Sequence, residues 1–479
     1  DGSIGLLPAG DRADYGNVSE TGTSGILTDS FELVASNTFD FTNDSGYLSH
    51  ATGMIPFDLD RDGETDLVLT PTNHYYEPER PIHALVEENG TIAISPLNIG
   101  TEETGWVKDW FSSDFNDDGF PDLLLVDHGL EPPTGFTLGN TKLLFGDGVN
   151  FNAIDNADLP KAFYHAGAVG DFNYDGTHDV ILSDLSEQKK LIVLEGRNGS
   201  LEKVSIEQPA SITANPWNGW GAVGFSEVEN GISLLAAAEY IPPNQYGTLG
   251  EIDIFRYENQ ELILDQVIKF PAQITEAGLG AYSIKNGDFN GDGLDDLIIT
   301  FEDHNGNHGL MYLEREAGIY NDKTIGAFGK YIVDGSLPSK FLVFDLNNDK
   351  TDDLIGFSWD MFAFYEDRLH LESDGAGAFS WANTSEISGL PASTSYGDKF
   401  YGNTFVPQFI QSSDGSYDEL IGYYVLKPPE NNEEITIDLY QLSPSKLTND
   451  RGNPSVFEIS GVGHGILADG ADYLTPLTD

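Results

Sequence analysis

The chain lacks cysteine altogether, so no disulfide framework holds it and its redox surroundings leave no mark. It is poor in cations. Only 23 Lys and Arg stand against 79 Asp and Glu, a net charge of −56. Nucleic acid is excluded as a partner, because its phosphates would be repelled. Anionic membrane surfaces are disfavoured for the same reason. No apolar run approaches the roughly 18 residues of a transmembrane helix. No stretch keeps a sustained helical period. A Gly-x-Ser-x-Gly elbow and a His-Glu-x-x-His zinc helix are also missing, which removes two hydrolase classes. The acidity itself fits a soluble protein of a saline habitat, where salt screens self-repulsion. Ordinary acidic solubility explains it equally well.

What the chain does contain is one nine-residue phrase, Asp-x-(Asp/Asn)-x-Asp-Gly-x-x-Asp, five times over. It opens as Asp58-Leu-Asp60-Arg-Asp62-Gly63-Glu-Thr-Asp66. It returns as Asp114/Asn116/Asp118/Asp122, Asp171/Asn173/Asp175/Asp179 and Asp288/Asn290/Asp292/Asp296. The last copy, Asp345/Asn347/Asp349/Asp353, has Lys350 in place of the glycine. Ca²⁺ is a hard cation that takes six to eight oxygens at roughly 2.3–2.6 Å. Side chains at positions 1, 3 and 5 of a tight loop can point to one centre. The carbonyl of position 7 and the carboxylate of position 9 complete the shell. Glycine at position 6 permits the sharp turn. A helical Ca²⁺ hand needs Glu at position 12, but here that place holds Leu69, Leu125, Leu182, Ile299 or Gly356. The loops are therefore expected to join strands and to hold about five Ca²⁺. The bland alternative is a set of Asx-rich hairpin turns without metal. It would leave clustered carboxylates repelling one another in every copy.

The phrases start at 58, 114, 171, 288 and 345, so the intervals are 56, 57, 117 and 57. The long interval predicts a worn copy, found near 225 in Gly221-Ala-Val-Gly-Phe-Ser-Glu-Val-Glu-Asn-Gly231. A second worn copy lies near 410, in Phe409-Ile-Gln-Ser-Ser-Asp414-Gly415-Ser-Tyr-Asp418. Seven units of about 57 residues result. Each reads as strand, Asp loop, strand, longer loop, strand, turn, strand. The expected fold is all-β: a seven-bladed β-propeller of four-stranded antiparallel blades, with Ca²⁺ loops between first and second strands. A solenoid is the rival, but seven units without polar caps would leave two open edges. Residues 1–44 form an N-terminal segment whose Phe31-Glu-Leu-Val34 can supply a closing strand. Residues 45–460 form the propeller and 461–479 a tail. Ser455–Ser460 is the other closing-strand candidate.

The stretches 163–176 and 286–293 are similar to the FG-GAP/VCBS repeats of integrin α-subunit propellers, and the resemblance runs over roughly residues 45–425. It implies a Ca²⁺-stabilised propeller. The family includes adhesins, lectins and some polysaccharide lyases, so it does not itself name an activity. A need for Ca²⁺ at extracellular levels implies a secreted or cell-surface protein. The start at Asp1 without Met or a leader fits a processed mature chain or a trimmed one.

The topology expected from the repeat separates two ends of each blade. His50 and His165 precede first strands, while His74, His83, His128, His304 and His308 follow second strands. All fall away from the Asp loops. So do Tyr75, Tyr76, Trp106, Trp110, Tyr164, Trp217, Trp220, Tyr240 and Tyr246, with Arg80 and Lys108. Aromatic faces with His and a few cations suit sugars, and a propeller mouth is concave. Packing between blades is the plainer use of the same residues. The leading expectation is a protein that binds a glycan, a polysaccharide, or a cell-surface or matrix protein. Its contacts would come from His50, His74, Tyr75, Tyr76, Trp106, Lys108, Trp217, Trp220, His304 and His308. The alternative is a lyase that cleaves a uronic-acid polymer by β-elimination. His128 or His165 would be the base, Tyr164 or Tyr240 the acid, and Arg80 or Lys108 would face the substrate carboxylate.

Overall fold

The computed structural model describes residues 32–40, 51–57, 66–71, 83–88, 91–96, 107–116, 118, 122–130, 137–146, 151–154, 159, 161–184, 190–197, 199–207, 219–226, 233–240, 250–302, 308–333, 340–344, 351–357, 369–383, 403–411, 417–425 and 434–442. Seven antiparallel sheets follow one another along the chain. The strand β1 (Glu32–Asp40) belongs to the last of them. The first sheet is β2 (Ala51–Phe57), β3 (Asp66–Pro71), β4 (His83–Glu88) and β5 (Thr91–Pro96). The second is β6 (Val107–Ser113), β7 (Asp122–Asp127), β10 (Lys142–Gly146) and β11 (Phe151–Ile154), with a small ribbon of β8 (Gly129–Leu130) and β9 (Thr137–Leu138) inserted. The third is β12 (Tyr164–Gly170), β13 (Asp179–Asp184), β14 (Lys190–Arg197) and β15 (Ser200–Val204). The fourth is β16 (Gly219–Ser226), β17 (Ser233–Tyr240), β18 (Glu251–Glu258) and β19 (Glu261–Lys269).

The fifth is β20 (Gly280–Gly287), β21 (Asp296–Glu302), β22 (His308–Glu316) and β23 (Ile319–Asp322), with β24 (Ile332–Val333) added beside β22. The sixth is β25 (Lys340–Phe344), β26 (Asp353–Phe357), β27 (Leu369–Ser373) and β28 (Phe379–Asn383). The seventh joins β29 (Asn403–Gln411), β30 (Tyr417–Val425) and β31 (Glu434–Leu442) to β1, whose Glu32 pairs with Gln441. Among the described residues two short helices depart from the all-strand reading: α1 (Ala272–Ala277) before the fifth sheet and α2 (Thr324–Phe328) within it. Each ends at a glycine in the left-handed conformation, Gly278 or Gly329. Among the described residues no helix is long and apolar enough to cross a membrane.

Alternation explains how the sheets stack. In β13, Ile181 enters the core shared with the fourth sheet, while Val180 and Leu182 enter the core shared with the second. In β14, Leu191 and Val193 face one way, Ile192 and Leu194 the other. In β22, Met311 and Leu313 face the fourth sheet, and Leu310 and Tyr312 the sixth. Strands covered on both faces read as unbroken apolar runs, as in Leu123-Leu-Leu-Val126 of β7, buried along its whole length.

First strands lie against one another in order: β2 by β6, β6 by β12, β12 by β16, β16 by β20 and β20 by β25; β2 also touches β29. Glycines permit the approach. A Cβ on Gly170 would stand 2.3 Å from the Phe225 ring, and one on Gly224 would stand 2.6 Å from Ile284 of the next sheet.

Candidate functional site

The nine-residue phrases occupy the turns between first and second strands. Two of them, at 171–179 and 288–296, are described in full. They share one hydrogen-bond pattern. The backbone N–H of Asp175 donates to both Asp171 Oδ1 (3.0 Å) and Asn173 Oδ1 (2.9 Å). The N–H of Gly176 donates to Asp171 Oδ2 (2.9 Å) and that of Thr177 to Asp175 Oδ1 (3.0 Å). In the other loop Asp292, Gly293 and Leu294 donate in the same way to Asp288, Asn290 and Asp292, at 2.8–3.1 Å. The N–H of Asp118 likewise donates to Asp114 and Asn116. The turn needs a left-handed backbone at positions 4 and 6. Position 6 is glycine (Gly176, φ 90; Gly293, φ 82), but position 4 is Tyr174 (φ 59) in one loop and Gly291 (φ 73) in the other.

Position 9 differs from the rest. Asp122, Asp179, Asp296 and Asp353 are all 0 % exposed, whereas Asp118, Asp175 and Asp292 are exposed. Asp179 Oδ2 accepts from Phe172 N–H (2.8 Å) and Oδ1 from Gly196 N–H on β14 (2.9 Å). Asp122 does the same with Phe115 and Gly146. Asp296 accepts from Arg315 N–H and the Tyr312 hydroxyl, and Asp353 accepts from Ser373 N–H. The ninth residue, expected as a cation ligand, is thus also a buried fastener of loop to third strand. Burial pushes the carboxyls of Asp122, Asp179 and Asp296 up to about 7 against the pull of these bonds, and the position-5 carboxylates Asp118, Asp175 and Asp292 add to the rise. A carboxyl so raised keeps its proton up to near-neutral pH, and a cation in the loop would favour its charged form.

The chemistry of the donors fits a hard cation. Asp171 Oδ1 and Asn173 Oδ1 sit within 3.0 Å of one nitrogen atom, so the oxygens of positions 1 and 3 already converge. A carboxylate oxygen that accepts one N–H keeps a further lone pair. Among the described residues no three His, Asp or Glu side chains form a ready-made cage. The pattern with its Asn at position 3 is a converging set of mixed oxygens. Asp58, Asp60, Asp62, Asp345, Asn347 and Asp349 lie outside the described residues, as do the worn loops after β16 and β29; of Asp66 only the backbone is described.

At the other end of the sheets a second regularity appears. Five first strands carry a register shift at one place, leaving Thr52, Lys108, His165, Gly221 or Tyr282 as the extra residue. Four of these stand six residues before a phrase, about 20 Å along a strand. Such β-bulges re-aim side chains and collect at rims and binding sites. Among the described residues the seventh sheet has none between its first two strands, and in the sixth the equivalent place, Ser339, lies outside the described residues. Sequence reading singled out Lys108 and His165 but missed Thr52, Gly221 and Tyr282. Counting six residues back from each phrase would have found Thr52 and Tyr282.

The remaining expected residues divide. His128 and Tyr164 are 0 % exposed and His308 is 4 % exposed. The His128 ring packs on Phe163, with centroids 3.8 Å apart. Burial raises the Tyr164 hydroxyl well above the usual phenol range, with Asp184 adding to it. These three belong to the interior, so the mouth-lining places expected for them are corrected. Trp220 lies in β16 beside its bulge and Tyr240 ends β17, where Gly219 pairs with it. His50, His74, Tyr75, Tyr76, Arg80, Trp106, Trp217 and His304 lie outside the described residues. Acids near this end are bound up in the backbone. Asp127 accepts from Gly129 and Asn140 N–H, and Asp184 from Phe163 N–H.

No protein-family model matches the chain, and no curated protein matches it. Solved structures do. One similar structure is a putative 6-phosphogluconolactonase from Bacteroides uniformis ATCC 8492, at 14% identity and TM-score 0.43, covering 69% of this chain and 83% of that one. Another is the Dos1 propeller, at 8% identity and TM-score 0.42, covering 86% and 95%. A third is AofleA from Arthrobotrys oligospora, at 11% identity and TM-score 0.36, covering 70% and 89%.

Proposed function

We propose that the seven sheets are the blades of a propeller with FG-GAP/VCBS-like repeats, that its Asp loops hold Ca²⁺, and that its opposite end binds a glycan or a partner surface outside the cell. The stacking order supports the ring, since first strands meet in sequence from β2 to β25 and β2 touches β29. The converging oxygens of positions 1 and 3 support the cation. Asp171, Asn173 and Asp175 would hold it in the third sheet, and Asp288, Asn290 and Asp292 in the fifth. Ca²⁺ would supply charge neutralisation and a fixed loop shape.

The observation that carries the binding reading is the row of bulges. One backbone irregularity recurs in five adjacent sheets, yet its residues are chemically unlike: Thr52, Lys108, His165, Gly221 and Tyr282. Bulges of this kind collect at rims and beside binding sites. None of the five is acidic, in a chain with 79 acids. Lys108 and His165 occupy equivalent places in the neighbouring strands β6 and β12.

The test is a glycan array with Ca²⁺ present, run with the native chain and with Lys108→Ala, His165→Ala and Tyr282→Ala. Loss of signal in these variants, with unchanged melting, supports the site. Equal binding by all of them, or no binding by the native chain, overturns it. Ultraviolet absorbance of an unsaturated uronate product in the same samples would establish the lyase reading instead, with His165 as the base to replace.

A further inference from the structure

The loops of neighbouring sheets are joined by the eighth residue of the phrase, which is neither a proposed ligand nor the buried fastener. Asp352 holds that place in the sixth sheet. Its Oδ2 accepts from the backbone N–H of Asp288 (2.7 Å), and its own N–H donates to the Asp288 carbonyl (2.9 Å). Asp288 is position 1 of the fifth-sheet loop. Two bonds therefore clamp its backbone from the next sheet. The Ser373 hydroxyl adds a bond to the Phe289 carbonyl. A Cβ on Gly291 would come within 3.2 Å of the Thr351 methyl, so the loop leans on the sixth sheet along its length.

The same relation recurs three sheets earlier. His178 is the eighth residue of the third-sheet loop, and its ring shares a hydrogen bond with the hydroxyl of Ser113. Ser113 immediately precedes Asp114, position 1 of the second-sheet loop. In the fifth sheet the eighth residue is Asp295, whose Oδ2 accepts from Asn286 of the same sheet (3.2 Å).

We infer that the eighth residue is a positioning residue for the cation loop of the preceding sheet, with Asp352 setting the cation affinity of the loop at 288–296 and His178 with Ser113 that of the loop at 114–122. This rests on the reading of the loops as Ca²⁺ sites. Position 1 must aim one carboxylate oxygen at the cation while the other accepts from position 6, and that aim depends on its backbone. Groups that orient a ligand from outside govern affinity without touching the ion.

The experiment is calorimetric Ca²⁺ titration of the full chain. Asp352→Ala is expected to weaken one site about tenfold and leave the others unchanged. Asp352→Asn keeps the acceptor oxygen and removes the charge, and is expected to restore native affinity. Ser113→Ala repeats the test on the second-sheet loop by removing one hydroxyl. Melting in chelator, equal for native and variant chains, shows that each has folded. A titration unchanged in Asp352→Ala and Ser113→Ala overturns the inference and leaves the Ca²⁺ reading standing, and so does failure of Asp352→Asn to restore affinity, since charge alone would then be the cause. A native chain that takes up no Ca²⁺ overturns both.

Discussion

The third and fourth sheets are built alike, yet only one keeps the aspartates. In the third, Gly170 pairs with Asp179, whose buried carboxylate ties loop to third strand. In the fourth, Ser226 pairs with Leu234 at the same place. Both sheets have four antiparallel strands, and both carry the bulge near the start of the first strand. The aspartates are therefore not what makes a sheet. Apolar alternation into two neighbouring cores does that, and the phrase is a fitting added to the turn.

That comparison predicts where stability depends on the phrase. The largest effect is expected from chelation. A site held at a hundredfold excess over its Kd adds about 2.7 kcal/mol, so several sites together should give a large fall in Tm in excess chelator. An unchanged melting curve would break the comparison at its root. Asp179→Ala comes next, because it strands the N–H groups of Phe172 and Gly196 in the interior. At about 1–3 kcal/mol for each unsatisfied group, the loss in denaturant unfolding should be about 2–6 kcal/mol, in chelator as well as in Ca²⁺. A loss seen only with Ca²⁺ would make Asp179 a ligand rather than a fastener.

Gly170→Ala and Gly224→Ala should cost about 1–3 kcal/mol each by overpacking. Similar values would show that the third-to-fourth and fourth-to-fifth contacts are equivalent despite the missing phrase. Asp175→Ala should reduce the Ca²⁺-dependent part of Tm by more than Asp414→Ala does, since the seventh-sheet copy is worn; equal shifts would undo the ligand assignment. The smallest effect belongs to Tyr174→Gly. It relieves a left-handed backbone at a non-glycine and should gain up to about 1 kcal/mol. A loss would show that the contacts of the tyrosine outweigh the strain of its backbone.

The period, the loops and the strand order were legible because each unit repeats a phrase with a fixed chemical meaning. The two sides of position 9 were not. Asp179 and Asp175 are the same letter, and only the third strand passing over the turn makes one a core residue. The interior places of His128 and Tyr164 were hidden for a like reason, since a residue near a strand end faces solvent or a neighbouring sheet according to packing that the local pattern does not record. The bulges at Lys108, His165 and Tyr282 each insert one residue near the start of a first strand, where only one or two residues precede the change of phase. α1 and α2, of six and five residues, are too short to register as a helical period.

The seventh sheet is assembled from both extremes of the described chain: Glu32 in β1 finds its partner Gln441 in β31. During synthesis β1 leaves the ribosome first, and its partner leaves after six other sheets. Closing so long a loop is slow on topological grounds, so β1 must wait, and β31 emerges with an uncovered edge. Until the two meet, that edge is open to the same strand of another molecule. Crowded synthesis would then yield exchanged dimers, and dilution would yield monomers.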